Sequence, residues 1–383
     1  MKMDLTILLI LIVLTALLAM GLLLAFRKRP IAQKEESLVD YIEGLNVLLR
    51  GDHQTALKKF REAVVKDSNN IDAYIKIGDL LREKGDIQKA IKTHQFLTVR
   101  RGLSQKQQIE ILKSLAQDYQ SAKDYDRALE IIEQILDLDK NNLWAHELKL
   151  KIFEQMEAWN NAFREYKNIM KLKGSVQNGR LALYKVYEGL KLSESGNEKE
   201  ARARFKDAIK IAPEDPPGYI YLADSYIKEN RKREALKVLK QFMEKVPSHS
   251  ELAFERLKKM LFEEGAFGKI ENIYLDILEE QPDNLPARFA LAEIYEKKGD
   301  VTRAIELCTE ILKREPSNKK ARRHLVRLYH KAGKDHEAVE QALQLFTETS
   351  ENQTVYRCKN CDYQSTELFW RCPECFEWET AII

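Results

Sequence analysis

Four of the chain's five cysteines lie within 23 residues near the C-terminus, YRCKNCDYQSTELFWRCPECFEW (356–378). They read Cys358-x2-Cys361-x10-Cys372-x2-Cys375. Thiols at such spacing serve three chemistries: a metal knuckle, a redox pair or a disulfide staple. Two Cys-x-x-Cys turns, each offering two thiolates, can close a tetrahedral site with metal–sulfur distances of about 2.3 Å. A module this small has almost no core, so a bound ion would supply most of its folding energy. A thioredoxin-like redox pair needs a surrounding βαβ pattern, which this tail lacks. The ten residues between the pairs, with Tyr363, Phe369 and Trp370, suit a small β-hairpin linking the knuckles. The choice between metal and disulfide rests on the compartment, which the other end of the chain decides.

Residues 5–26, LTILLILIVLTALLAMGLLLAF, carry no charge. As a helix this run spans about 33 Å, slightly more than a hydrocarbon core of about 30 Å. A cleaved signal peptide fits less well. Its apolar region runs about 7–15 residues, only Lys2 precedes this one, and no small-x-small site follows. The segment is expected to be a retained single-pass transmembrane helix, followed by a juxtamembrane linker over 27–36. Arg27, Lys28, Arg29 and Lys34 crowd its C-terminal flank, whereas Lys2 and Asp4 nearly cancel. Because Lys and Arg stay cytoplasmic, the N-terminus is expected to face outward and the bulk of the chain to be cytoplasmic. Thiols remain reduced there, which favours a metal site over disulfides.

Past the anchor about 355 residues remain, more than one ordinary core of about 100–200 residues holds unless the architecture is modular. Sixty-three Lys and Arg stand against 60 Asp and Glu. That balance argues against a nucleic-acid protein, which would carry a strongly basic domain or stripe.

A repeat accounts for the middle. Ala56, Ala90, Ala128, Ala162, Ala201 and Ala235 recur, Ile270 takes the next slot, and Ala304 and Ala338 follow. The spacings are 34, 38, 34, 39, 34, 35, 34 and 34 residues. Small residues such as Gly44, Gly78 and Gly189 stand twelve positions before the alanine. Rings or aliphatics such as Phe60, Tyr166 and Phe205 stand four after it, and Pro213, Pro247, Pro282 and Pro316 twelve after it. Segment 37–350 therefore resembles nine tetratricopeptide (TPR) units, although the first-turn Trp of that pattern is mostly absent. Each landmark has a physical reason. The small residue lets two helices approach closely. Gly51, Gly85, Gly196, Gly265, Gly299 and Gly333 supply the left-handed residue that ends a first helix, and proline ends the second. One unit cannot bury its own apolar face, so the stack is the folding unit. Cys308 falls at the Phe-like slot of the eighth unit and is expected to be buried filler. No nucleophile stands with a base that the sequence can nominate, so no catalytic residue is assigned and no enzyme is expected.

The fold expected is all-α: a TPR superhelical solenoid between an N-terminal transmembrane helix and a four-cysteine module over 354–380. In the ninth unit Lys320, Arg323, Arg327 and His330 recur every three to four residues on one helical stripe. By register with the TPR family this stripe lines the concave face. It is either an ordinary solvated face or a docking stripe for an acidic partner.

The cysteine turns resemble rubredoxin and zinc-ribbon knuckles, although Asp362 and Phe376 stand where those motifs usually carry Gly. One Zn2+ or Fe ion is expected on Cys358, Cys361, Cys372 and Cys375, with zinc favoured because no redox partner is evident. Anchor, TPR array and knuckle in this order resemble the lipopolysaccharide assembly protein B (LapB) family. YRC-x2-C, Phe369-Trp370, CPEC, Trp378 and the early stretch YIEGLNVLLRGDHQTALKKF (41–60) carry the likeness most specifically. The resemblance implies an inner-membrane adaptor, its N-terminus periplasmic. Such an adaptor restrains lipopolysaccharide synthesis by presenting the LpxC deacetylase to the membrane protease FtsH, with links to lipopolysaccharide export proteins. The metal module is expected to pack against the last repeats or to supply a second contact. A general membrane-tethered assembly scaffold and a rubredoxin-type electron carrier are the competing functions.

Overall fold

The computed structural model describes residues 33–175, 177–262, 267–347 and 355–382. The expected transmembrane segment 5–26 and most of the linker 27–36 lie outside the described residues. Among the described residues no helix is long and apolar enough to cross a membrane.

The described residues form eighteen α-helices and then three short strands, divided between two compact units. The unit ending at Gly174 holds four helical hairpins. They are α1 (33–49) with α2 (His53–Lys66), α3 (Ile71–Glu83) with α4 (Ile87–Thr98), α5 (Gln105–Ser121) with α6 (Tyr125–Leu138), and α7 (Leu143–Gln155) with α8 (Trp159–Lys173). The unit from Ser175 holds five. They are α9 (Asn178–Glu194) with α10 (Glu198–Ile211), α11 (Pro216–Lys228) with α12 (Lys232–Lys245), α13 (Glu251–Phe262) with α14 (Phe267–Glu280), α15 (Leu285–Lys298) with α16 (Val301–Arg314), and α17 (Lys319–Lys331) with α18 (Asp335–Thr347). These are nine TPR hairpins. The first helix is already wound at residue 33, the first described residue, within the expected linker 27–36.

Every residue of the alanine series, Ile270 included, is the fourth residue of the second helix of its hairpin, and all are buried. The small residue twelve positions earlier is the seat of the ring four positions later. A Cβ on Gly44 would lie 2.6 Å from Phe60, and one on Gly189 would lie 2.5 Å from Phe205. Burying such a ring contributes about 2–3 kcal/mol. Asn70, Asn142, Asn284 and Asn318 cap first helices, and Asp52, Asp124 and Asp300 cap second helices, each accepting a backbone N–H two residues inside the helix end. Each such cap is worth about 1 kcal/mol. Where the TPR pattern would place its Trp, Tyr219 and Arg288 bond the carbonyls of Pro213 and Pro282 at 3.0 and 2.5 Å, and Arg322 likewise bonds that of Pro316. From Ser175 onward one apolar core runs from Ala182 to Leu328.

The turns need a left-handed residue between the helices. Gly51, Gly85, Gly196, Gly299 and Gly333 supply it with φ of 70–90°, and Gly265 lies outside the described residues. Three hairpins without glycine force Lys123, Glu157 and Asn230 into the same region at φ of 52–58°.

Candidate metal centre

The tail holds β1 (Tyr356–Cys358), β2 (Gln364–Ser365) and β3 (Ala381–Ile382), antiparallel in the order β2-β1-β3. The β1–β2 hairpin turns through the first Cys-x-x-Cys, and Arg371 bridges Trp378 around the second. This corrects the expected hairpin linking the knuckles. Each Cys-x-x-Cys turn already reverses the chain, so strands pair across a knuckle rather than between the two.

The two knuckles repeat one construction. Cys358 N–H donates to the Tyr363 carbonyl at 2.8 Å, and Asp362 N–H donates to the Cys358 carbonyl at 2.9 Å. In the second, Cys372 N–H donates to the Glu377 carbonyl at 2.8 Å, and Phe376 N–H to the Cys372 carbonyl at 3.0 Å. Asp362 and Phe376 therefore adopt the left-handed conformation, with φ of 60° and 59°, despite lacking the usual glycine. That conformation costs an L-residue about 1–2 kcal/mol. The arginine before each knuckle offsets part of it. Arg357 pairs with Asp362 at 2.8 Å, and Arg371 lies 5.1 Å over the Phe376 ring while its Nε–H donates to the Phe376 carbonyl at 3.2 Å. The sequence thus contains two Arg-Cys-x-x-Cys-x units, a signal readable in RCKNCD and RCPECF.

The four sulfurs all lie within 4.8 Å of one another. Cys358 and Cys375 approach to 3.6 Å, as do Cys361 and Cys372. A tetrahedral site with bonds of about 2.3 Å needs sulfurs about 3.8 Å apart, so the set fits a four-coordinate thiophilic ion. All five cysteines are free thiols. Burial disfavours the Cys358 thiolate, but the Thr380 hydroxyl at 3.1 Å and the amides of Asn360 and Cys361 outweigh it, bringing the thiol to about 6. The Asn360 side chain and the Glu377 amide lower Cys375 as well. Cys361 is pushed up to about 12: although the Tyr363 amide favours its thiolate, burial and the other three sulfurs oppose a further negative charge. Such a set ionises fully only around a cation. Among the described residues this is the one His, Cys, Asp or Glu cluster with metal-binding geometry.

The module packs on the fifth and sixth hairpins. Trp378, nearly buried, meets Tyr184 and Tyr187 edge-on, each at 5.3 Å between ring centroids. The Arg180 guanidinium lies 5.6 Å from the Trp378 ring. The Arg371 amide donates to the Tyr187 oxygen, and the Trp370 indole N–H donates to that of Tyr221. Burial pushes Tyr187 to about 12, so it stays a neutral phenol. The expectation is that the module packs against the last repeats or supplies a second contact. Its contacts instead lead back to α9 and α11, where Tyr187 and Tyr221 each stand fourteen residues before the register alanine. Val339 and Leu343 on α18 are meanwhile 57 % and 62 % exposed. Sequence reasoning missed Arg180, Tyr184, Tyr187 and Tyr221, and the tyrosine recurrence was the available signal.

Lys320, Arg323 and Arg327 come together in a groove of about 710 Å³ that Phe289, Glu293 and His324 also line. Phe289 and Glu293 hold in α15 the register of Arg323 and Arg327 in α17. His330 is not among the lining residues; it is exposed and paired with Asp335 at 2.9 Å across the hairpin turn. Cys308 is fully buried and its thiol pushed up to about 12 by burial, consistent with filler. His94 fills the ring slot of the second hairpin, fully buried, with Nδ1 2.5 Å from Asp118 and Nε2 3.2 Å from the Ile75 carbonyl.

Residues 356–381 match the rubredoxin metal binding domain family, and 71–93, 192–258 and 274–347 match tetratricopeptide repeat families. Lipopolysaccharide assembly protein B of Escherichia coli K12 is 23 % identical over 345 residues, covering 89 % of this chain and 88 % of that protein. The protein of the same name from Haemophilus influenzae is 24 % identical over 352 residues, with the same shares. A solved tetratricopeptide repeat protein from Parabacteroides merdae, 15 % identical, superposes at a TM-score of 0.36 over 78 % of this chain and 98 % of its own. Its repeats, its knuckle and a likeness spanning nearly the length of both chains support placing this protein with the lipopolysaccharide assembly protein B family.

Proposed function

We propose that the chain is a non-catalytic adaptor in lipopolysaccharide assembly, tethered to the inner membrane by residues 5–26 with its repeats in the cytoplasm. The observation that carries this reading is the similarity over 89 % of the chain to proteins named for that assembly. The family resemblance supplies the client and the machine: the LpxC deacetylase, presented to the FtsH protease, with links to export proteins. Tethering confines the repeats to the membrane plane and raises their effective concentration near a membrane protease. Cys358, Cys361, Cys372 and Cys375 hold one ion, zinc in preference to iron, whose contribution is to cross-link the two knuckles. The remaining work falls to the chain. Trp378, Trp370 and Arg371 fix the closed module on α9 and α11, so the metal shapes the repeat surface.

Two variants test the reading in cells lacking the native copy. Deletion of 1–26 is expected to leave a folded protein but to lengthen the deacetylase half-life, and Cys372→Ser is expected to do so by unfolding the tail. A deacetylase half-life equal to wild type in both variants would sink the adaptor role. A colourless, zinc-containing preparation is expected; a red protein with an iron absorption band would favour electron transfer instead.

A further inference from the structure

Helix α17 reads KKARRHLVRLYHK, six Lys and Arg with no carboxylate, in a chain whose net charge is only +3. Much of that charge is satisfied internally. Arg322 turns inward to Gln341, Gln344 and the Pro316 carbonyl. Glu296, whose side chain is 7 % exposed, collects Arg327, Lys331 and His324. Glu293, the carboxylate lining the groove, is held by Lys258 at 3.1 Å. Lys319, which also lines the groove, is engaged as well, so Lys320 and Arg323 remain. Lys320 sits 4.4 Å over the Phe289 ring, and Arg323 is exposed with no hydrogen bond or ion pair among the described residues. Both point into one groove beside the N-terminus of α17, whose helix dipole adds positive potential.

The same register face is already known to take polypeptide in this chain. Tyr187 and Tyr221, which hold the tail, occupy the position that His324 holds at the groove. A guanidinium and an ammonium a helical turn apart match carboxylates spaced along a peptide, and the guanidinium can take one of them bidentately. We propose that the groove between α15 and α17 binds an acidic segment of a partner protein, with Lys320 and Arg323 pairing its carboxylates.

The test uses the full chain in detergent and a fluorescein-labelled octaglutamate peptide, read by anisotropy at an ionic strength of about 0.01 M, where the Debye length is about 30 Å. Binding that weakens about tenfold in K320E/R323E, and less in K320Q/R323Q, with helix content and metal content unchanged, supports the assignment. A photo-crosslinker at Ser317 that captures the labelled peptide locates it. Unaltered affinity in both variants would overturn the proposal, as would failure of octaglutamate to bind. So would binding of phosphatidylglycerol vesicles or duplex DNA, but not of octaglutamate, that is lost in the same variants.

Discussion

Trp378→Ala separates docking of the knuckle from closure of the knuckle. The indole is nearly buried, edge-on to Tyr184 and Tyr187, with Arg180 at 5.6 Å and Arg371 at 5.3 Å. Truncating a buried Trp to Ala costs about 3–5 kcal/mol, a figure that already includes the two aromatic pairs. If about 4 kcal/mol falls on the docking equilibrium, the undocked population rises about a thousandfold, at about 1.4 kcal/mol per decade. The Arg371 amide, bonded to the Tyr187 oxygen in the docked state, reports this directly. Its hydrogen exchange is expected to accelerate by two to three orders of magnitude, roughly, as that population predicts. Metal content should stay at one ion per chain, because Trp378 supplies no ligand. Trp378→Phe should accelerate exchange far less. Wild-type protection at Arg371 in the alanine variant would refute the reasoning; loss of metal alongside protection would place Trp378 in the fold of the knuckle instead.

Three further outcomes are expected. Gly189→Ala puts a methyl 2.5 Å from Phe205; overpacking of about 1–3 kcal/mol outweighs a helix-propensity gain of about 1 kcal/mol, so the urea midpoint should fall. Thiol titration of the metal-loaded native protein should find no fast-reacting cysteine, a strong chelator should expose four, and the fifth, Cys308, should react only after denaturation. Burial would raise Glu296, but Lys331, His324 and Arg327 hold its carboxyl below the usual range. A depressed folded value means the ion pairs stabilise fully above the unfolded pKa of about 4.3 and fade as pH falls through the folded one. The stability gap between wild type and Glu296→Gln, followed by urea denaturation, should therefore close on acidification below pH about 4.

The array was legible because a helical hairpin repeated nine times writes its closest approach into the sequence. Ala56 through Ala338 mark the same turn of the second helix, and even Ile270 sits there fully buried. The ligand set was equally local, since Cys-x-x-Cys fixes two thiols on one turn. Contacts across long sequence separations were not legible. Nothing near Trp378 announces Tyr184, nearly two hundred residues earlier, because the pairing depends on where the repeat face places α9. The left-handed Lys123, Glu157 and Asn230 also escaped composition, since hairpin closure imposes a conformation their side chains do not favour, whereas Asp362 and Phe376 could be read from the knuckle motif. The stripe on α17 was read by register alone. Three of its residues share the groove, while Asp335 draws His330 aside.

X-ray absorption at the metal edge of the purified full-length protein tests most directly whether the tail is an ion-closed module. The expected spectrum is a single zinc with four sulfur neighbours at about 2.3 Å and no nitrogen or oxygen in the shell. A protein without metal whose four tail cysteines are paired as disulfides would contradict it.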